Sequence, residues 1–141
     1  LYGGNTLDTR VWTRTQGMMW VMRHDPDTYP VYVAECDGTV IGYSAINPYR
    51  SALGFERIAE NSIYVDKAFR RRGVATMLVS RVLEEARARG YRIMMATVVS
   101  TNEPSLRLHE SLGYERMSTL VRGGQRGGHS IDLVLLKRVL Q

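Results

Sequence analysis

The chain lacks the residues and runs that define several common architectures. Cys36 is the one cysteine in 141 residues. That excludes an intrachain disulfide and any cysteine-cluster metal site, and it fits a reducing cytoplasm. No apolar run approaches the ~18 residues that a membrane span needs. Leu1-Tyr2-Gly3-Gly4 has none of the basic-then-apolar pattern of a secretory leader. Histidine is scarce: His24 lies in the breaker His24-Asp25-Pro26-Asp27, and His129 in a glycine-rich stretch. Neither has metal-ligand company. Two nucleotide signatures are missing as well, the Gly-x-x-x-x-Gly-Lys-Ser/Thr of a P-loop and the Gly-x-Gly-x-x-Gly of a dinucleotide fold. Acidic residues are outnumbered, 14 against 19 basic, for a net charge of +5. Such a balance favours an anionic partner: nucleic acid, a membrane surface or a phosphorylated small molecule.

What is present is a globular composition, 44% hydrophobic, with length for one domain and one sizeable core. Thr13 to Met22 reads as a short helix with Met18, Met19 and Met22 at helical spacing. Val31–Glu35 and Val40–Ile46 are β-rich runs joined by a Cys36-Asp37-Gly38-Thr39 hairpin signal. Asn47 to Gly54 reads as a polar loop and about Phe55 to Val65 as a strand. Val74 to Arg89 is the strongest helix, with Val74, Leu78, Val82 and Ala86 on one face and Gly90 as its stop. Tyr91–Val99 is β-rich, Asn102 caps a helix with Pro104 in its first turn, and Gly113 ends it. Tyr114–Val121 and Ile131–Val139 form a closing strand pair, joined by the glycine-rich stretch Arg122–Ser130. The order predicts an α/β sandwich of one mostly antiparallel sheet with helices on its faces.

The charge is concentrated at Phe69-Arg70-Arg71-Arg72-Gly73-Val74-Ala75-Thr76, where an apolar strand gives way to the strongest helix. Free backbone N–H groups at a helix start bind anions. Gly73 lets a ligand approach the backbone closely, and the arginines add field. The same residues also read as a solvated basic helix start.

Arg-x-x-Gly-x-Ala after a strand and before a long helix resembles the acyl-CoA signature of the GNAT N-acetyltransferases. Asn102-Glu103-Pro104-Ser105-Leu106-Arg107-Leu108-His109-Glu110-Ser111-Leu112-Gly113-Tyr114 resembles that family's second marker. Ala59-Glu60-Asn61-Ser62-Ile63-Tyr64-Val65, with Leu108-His109-Glu110, resembles the branch holding the phosphinothricin and methionine sulfoximine N-acetyltransferases, and Gly128-His129-Ser130-Ile131-Asp132 partly resembles its closing segment. The likeness runs from about Tyr29 to Val139. It implies one GNAT domain over residues 1–141, α/β, with a mixed, mostly antiparallel sheet flanked by helices on both faces. It also implies that the usual first strand and helix are missing, through truncation or a naturally short N-terminus.

The resemblance implies further roles. The amides of Arg71, Arg72, Gly73, Val74, Ala75 and Thr76 hold the pyrophosphate of acetyl-CoA. Ile63, Tyr64 and Val65 pair their backbone with the pantetheine arm, and an N–H of that run polarises the thioester carbonyl. Asn102 bonds the cofactor arm, a role compatible with a plain helix cap. Glu60 takes the amine proton, directly or through water; a strand Glu is otherwise commonly an outward charge. His109 relays a proton or orients Glu60 and substrate, where a lone histidine on an inward helix face otherwise serves the core. Phe55 walls the substrate pocket or ends a strand in the core. No metal is implied, and Cys36 is a poor nucleophile. The implied activity is direct ternary-complex transfer of acetyl from acetyl-CoA to a small amine, an amino acid or analogue, by a cytoplasmic homodimer. Ser130 departs from the branch's large aromatic.

Two rivals stand beside this. Arg122-Gly123-Gly124 and Arg126-Gly127-Gly128 are RGG-like, which opens RNA binding, although they also suit a glycine hairpin. A CoA-binding module without catalysis is the other.

Overall fold

The computed structural model describes residues 12–141. The expectation about a missing first strand and helix falls largely on residues 1–11, outside the described residues. A helix, α1 (Arg14–Met22), opens the described chain and is followed by the hairpin β1 (Val31–Cys36) and β2 (Thr39–Pro48). Then come β3 (Ile58–Val65), α2 (Val74–Ala88), β4 (Ile93–Val99) and α3 (Glu103–Ser111). The hairpin β5 (Glu115–Arg126) and β6 (His129–Val139) closes the chain. The six strands form one sheet in the order β1-β2-β3-β4-β6-β5. Every neighbouring pair is antiparallel except β3 and β4. That parallel step is the one joined by a helical crossover, α2, as parallel pairing requires.

Side-chain alternation sorts the two faces. On one face Ile46, Ala59, Met94, Ala96, Val98, Val134 and Leu136 pack against Val79, Val82, Leu83 and Ala86 of α2 and Leu106 of α3. The expected α2 stripe Val74, Leu78, Val82 and Ala86 is buried, together with Val79 and Leu83. Each large aliphatic side chain so buried contributes roughly 1.5–3 kcal/mol. The opposite face carries α1, through Trp20 against Tyr43 with ring centroids 5.4 Å apart. Helices thus lie on both faces, as expected. The methionines of α1 do not join a core: Met18, Met19 and Met22 are exposed.

Several expected boundaries move. Asn47 and Pro48 are strand, paired with Glu60 and Ala59; register with β3 overrides two residue types that strands disfavour. Phe55 belongs to a 3-10 turn, Leu53–Phe55, and β3 begins at Ile58. The larger correction concerns Arg122–Ser130. It is not a loop: β5 runs on through Arg126 and β6 starts at His129, with Gly124 opposite Ile131 and Arg126 opposite His129. The turn shrinks to Gly127-Gly128, both at positive φ, 52° and 79°, the conformation that a two-residue hairpin matching strand twist demands. The glycines pointing to an RGG tract are ladder and turn residues.

Candidate active site

Where β3 and β4 meet, the pairing is short. Ile58, Ala59 and Glu60 pair with Ile93, Met94 and Met95, and no later rung follows. Beyond Glu60 the two strands part: β3 continues to Val65 against β2, and β4 to Val99 against β6. A V-shaped cleft opens toward the C-terminal ends of two parallel strands, the usual ligand position in a sheet of this kind. Its β3 wall is the segment Asn61 to Val65, which contains Ile63, Tyr64 and Val65. The Val65 carbonyl accepts from Arg70 Nε at 3.0 Å, which leaves that oxygen a second lone pair.

Past Val65 the chain turns into α2. Arg70 is extended, Arg71 is left-handed at φ 62° and Gly73, the N-cap, is left-handed at φ 80°. A left-handed Gly73 followed by the right-handed helical Val74 curves successive amides into a concave anion nest. A non-glycine residue held left-handed is strained, and such strain gathers at ligand-binding turns. No side chain caps the helix and no acid lies in its first turn. The first intrahelical bond is donated by Met77 to the Gly73 carbonyl at 3.0 Å, so the amides of Val74, Ala75 and Thr76 have no helical acceptor. A Cβ on Gly73 would meet nothing within 4 Å; space lies open above the turn. Arg71, Arg72 and Gly73 are exposed, and Arg72 rests over the Phe69 ring at 5.5 Å. The arrangement fits a pyrophosphate.

Glu60 stands at the apex of the cleft, half-buried. Its Oε1 accepts from Thr97 Oγ1 at 2.6 Å. Its backbone carbonyl accepts from Asn47 Nδ2 at 3.0 Å, and the same amide reaches Ser62 Oγ at 2.9 Å. Asn47 Oδ1 in turn meets His24 Nε2 at 2.9 Å, while His24 Nδ1 meets the Trp20 carbonyl at 2.9 Å. His24 therefore ties α1 to β2, the strand whose Asn47 holds the Glu60 carbonyl. Beside it Tyr43 and Tyr64 stack at 6.1 Å, so the Glu60 face carries an aromatic wall.

His109 lies elsewhere. It is 1% exposed, and Asn61 Nδ2 donates to its Nε2 at 3.2 Å. Tyr114 donates its hydroxyl to Asn61 Oδ1 at 2.8 Å, which fixes that amide's orientation. Because Asn61 donates, His109 Nε2 must be the bare nitrogen, and Nδ1–H donates to the Ser105 carbonyl at 2.8 Å. Burial holds its pKa below the usual histidine value, opposed by the Ser105 bond. Burial likewise drives the Tyr114 hydroxyl well above the normal tyrosine range. Asn61 and Glu60 are consecutive on β3 and point to opposite faces. The structure therefore does not bring His109 to Glu60.

The remaining expected residues are quickly placed. Asn102 caps α3, its Oδ1 accepting from Ser105 N at 3.3 Å. Phe55 packs edge-on to Tyr49 at 5.8 Å, with Arg50 over its ring. Sequence reasoning missed Trp20, Tyr43, Asn47, Asn61 and Thr97 as parts of the site. The register of β2, β3 and β4 and the docking of α1 assemble them; of the five, only Asn61 lies within a motif quoted above.

Known proteins match this geometry. A family model described as the acetyltransferase (GNAT) family matches residues 5–114. An L-methionine sulfoximine/L-methionine sulfone acetyltransferase of Salmonella typhimurium is 38% identical over 97% of this chain and 77% of its own length. A phosphinothricin N-acetyltransferase of Streptomyces viridochromogenes is 33% identical over 79% of this chain and 61% of its own. The solved yncA protein of Salmonella typhimurium, with its cofactor acetyl-CoA, superposes with a TM-score of 0.93 at 31% identity. That match spans 99% of this chain and 81% of the other. The parted strands, the uncapped Gly73 turn and these matches agree: the chain belongs to the GNAT acetyltransferase family, whose members take acetyl-CoA as the acetyl donor.

Proposed function

We propose that this chain transfers the acetyl group of acetyl-CoA to the amine of an amino acid or amino-acid analogue, by direct attack in a ternary complex. The observation that carries the reading is the cleft. It has an anion nest at one end, a strand wall that has left β4 along its length and a carboxylate at its apex. The nest of Arg71 to Thr76 takes the pyrophosphate, Ile63 to Val65 line the pantetheine arm, and Asn102 borders it at the start of α3. The acceptor amine enters on the Glu60 face, beside Trp20, Tyr43 and Tyr64; Phe55, farther along, is its outer wall.

The amine nitrogen attacks the thioester carbonyl, the C–N bond forms, and the C–S bond then breaks. Glu60 takes the proton that the ammonium must lose, directly or through a water molecule. The nitrogen sheds its second proton as the amide forms, and the departing thiolate takes up one proton through solvent, so that the net release is the proton passed to Glu60. His109 has both ring nitrogens engaged. Its part is to hold Asn61, and with it the β3 wall, against α3. The names of the relatives support amino-acid analogues as acceptors.

A free-thiol release screen over the L-amino acids, methionine sulfone, methionine sulfoximine and phosphinothricin tests the activity. Release with none of them would overturn it. Glu60→Gln tests the base. Its deficit is expected to be largest below the acceptor's own pKa and to shrink as rising pH supplies neutral amine. A loss independent of pH would remove Glu60 from that role. We further propose a cytoplasmic homodimer; a sedimentation mass of one chain would overturn the dimer.

A further inference from the structure

We propose that Thr97 is a positioning residue for Glu60, rigidly aiming its carboxylate at the apex of the cleft. The inference rests on the reading of Glu60 as proton acceptor. It starts from an imbalance. Glu60 is half-buried in the middle of the sheet, yet among the described residues it forms no ion pair. A carboxylate kept there for stability would be matched by a cation or by several donors. Here a single neutral hydroxyl meets it, and it comes from the other strand.

The register explains how. Glu60 opposes Met95 in the last rung before the strands part. Thr97 is two residues further along β4, so it projects from the same face as Met95 and Glu60. Its hydroxyl spans the gap to Oε1 at 2.6 Å, the length of a charge-assisted O–H···O⁻ bond. Meanwhile Asn47 fixes the Glu60 main chain from the β2 side. The residue is thus anchored at its backbone by one neighbouring strand and at its carboxylate by the other. Among the described residues Oε2 accepts from no side chain, and it is left for an incoming amine or water. A β-branched threonine suits the task, because its stiff χ1 holds the hydroxyl in one direction.

The test is a double-mutant cycle. Thr97→Val removes the hydroxyl at nearly constant shape, Thr97→Ser keeps it, and each is made with Glu60 and with Glu60→Gln. The acceptor is whichever compound releases most thiol in the screen above. Thr97→Val is expected to lower kcat by about tenfold to a hundredfold, with acetyl-CoA affinity by calorimetry unchanged. Thr97→Ser is expected to recover most of that loss. In the Glu60→Gln background Thr97→Val is expected to cost little more: the amide oxygen can still accept from the hydroxyl, but the base that the hydroxyl positions is already gone.

Parent-like kcat in Thr97→Val overturns the assignment. So does an undiminished loss in the Glu60→Gln background, or a loss that follows melting temperature and is not restored by serine. The two readings fail separately. Normal turnover in Glu60→Gln removes Glu60 as the base. An impaired Glu60→Gln beside an unimpaired Thr97→Val removes only the positioning role of Thr97.

Discussion

His109 is buried and uncharged, and that has a measurable cost in acid. Its pKa in the fold lies below the ordinary value, chiefly because burial penalises the charged ring. In the unfolded chain it titrates near the ordinary histidine value of about 6.5. Below that pH the unfolded state binds the extra proton, so the His109 contribution is complete above about 6.5 and is lost as pH falls toward the folded pKa. Urea midpoints measured from pH 8 to pH 5 are expected to fall more steeply for the parent than for His109→Gln; parallel curves would contradict this. The Asn61 amide offers a second check. Asn61→Leu leaves the Tyr114 hydroxyl and His109 Nε2 buried without partners, and each such group costs about 1–3 kcal/mol. The helix position of His109 was legible from its spacing. Its pairing with Asn61, 48 residues away, was not, because it depends on which face of β3 turns toward α3.

At the scale of elements, the start of α2 makes the sharpest prediction. Gly73→Val puts a β-branched side chain at φ 80° and into the open space above the turn. The Michaelis constant for acetyl-CoA is expected to rise far more than that for the acceptor. A folded Gly73→Val variant with unchanged acetyl-CoA affinity would remove the pyrophosphate assignment. This element was legible because strand, arginine–glycine turn and amphipathic helix follow one another directly between Ile58 and Ala88. The closing hairpin was legible in part. Tyr114–Val121 and Ile131–Val139 read as strands, while the glycines between them concealed the continuation. Irregularities at Arg116/Ser118 and Leu120/Gly124 let the ladder absorb them, and Asp132 accepts from the Arg122 amide at 2.7 Å beside one of these. Glycine weakens a strand on average; here cross-strand register and a two-residue turn prevail.

For the whole molecule, the expected readout is ligand-linked stability. A ligand that binds only the folded chain raises stability by about 2.7 kcal/mol at a hundredfold excess over Kd. In a chain of this length that corresponds to roughly 5–10 °C in Tm. Acetyl-CoA is expected to produce such a shift in the parent and a much smaller one in Gly73→Val, read by differential scanning fluorimetry. Single-stranded RNA is expected to produce none. The architecture was legible because hydrophobic periodicity gives element order, and order restricts topology. The site was legible at its motif-bearing end alone. Its aromatic wall and the Thr97–Glu60 bridge exist only after distant strands have been set side by side.

The three-rung seam between β3 and β4 also bears on hydrogen exchange. Alternate amides of residues 61–65 and of residues 96–99 point away from their antiparallel neighbours, into the cleft, where none of the described strands receives them. In the free protein these amides are expected to exchange deuterium within seconds to minutes, although they belong to central strands flanked by slowly exchanging ones. On the proposed reading, acetyl-CoA lies between the parted strands as a removable seventh strand. Its arrival is expected to slow exchange along the β3 wall in an every-second-residue pattern, leaving the outer ladder of β5 and β6 untouched.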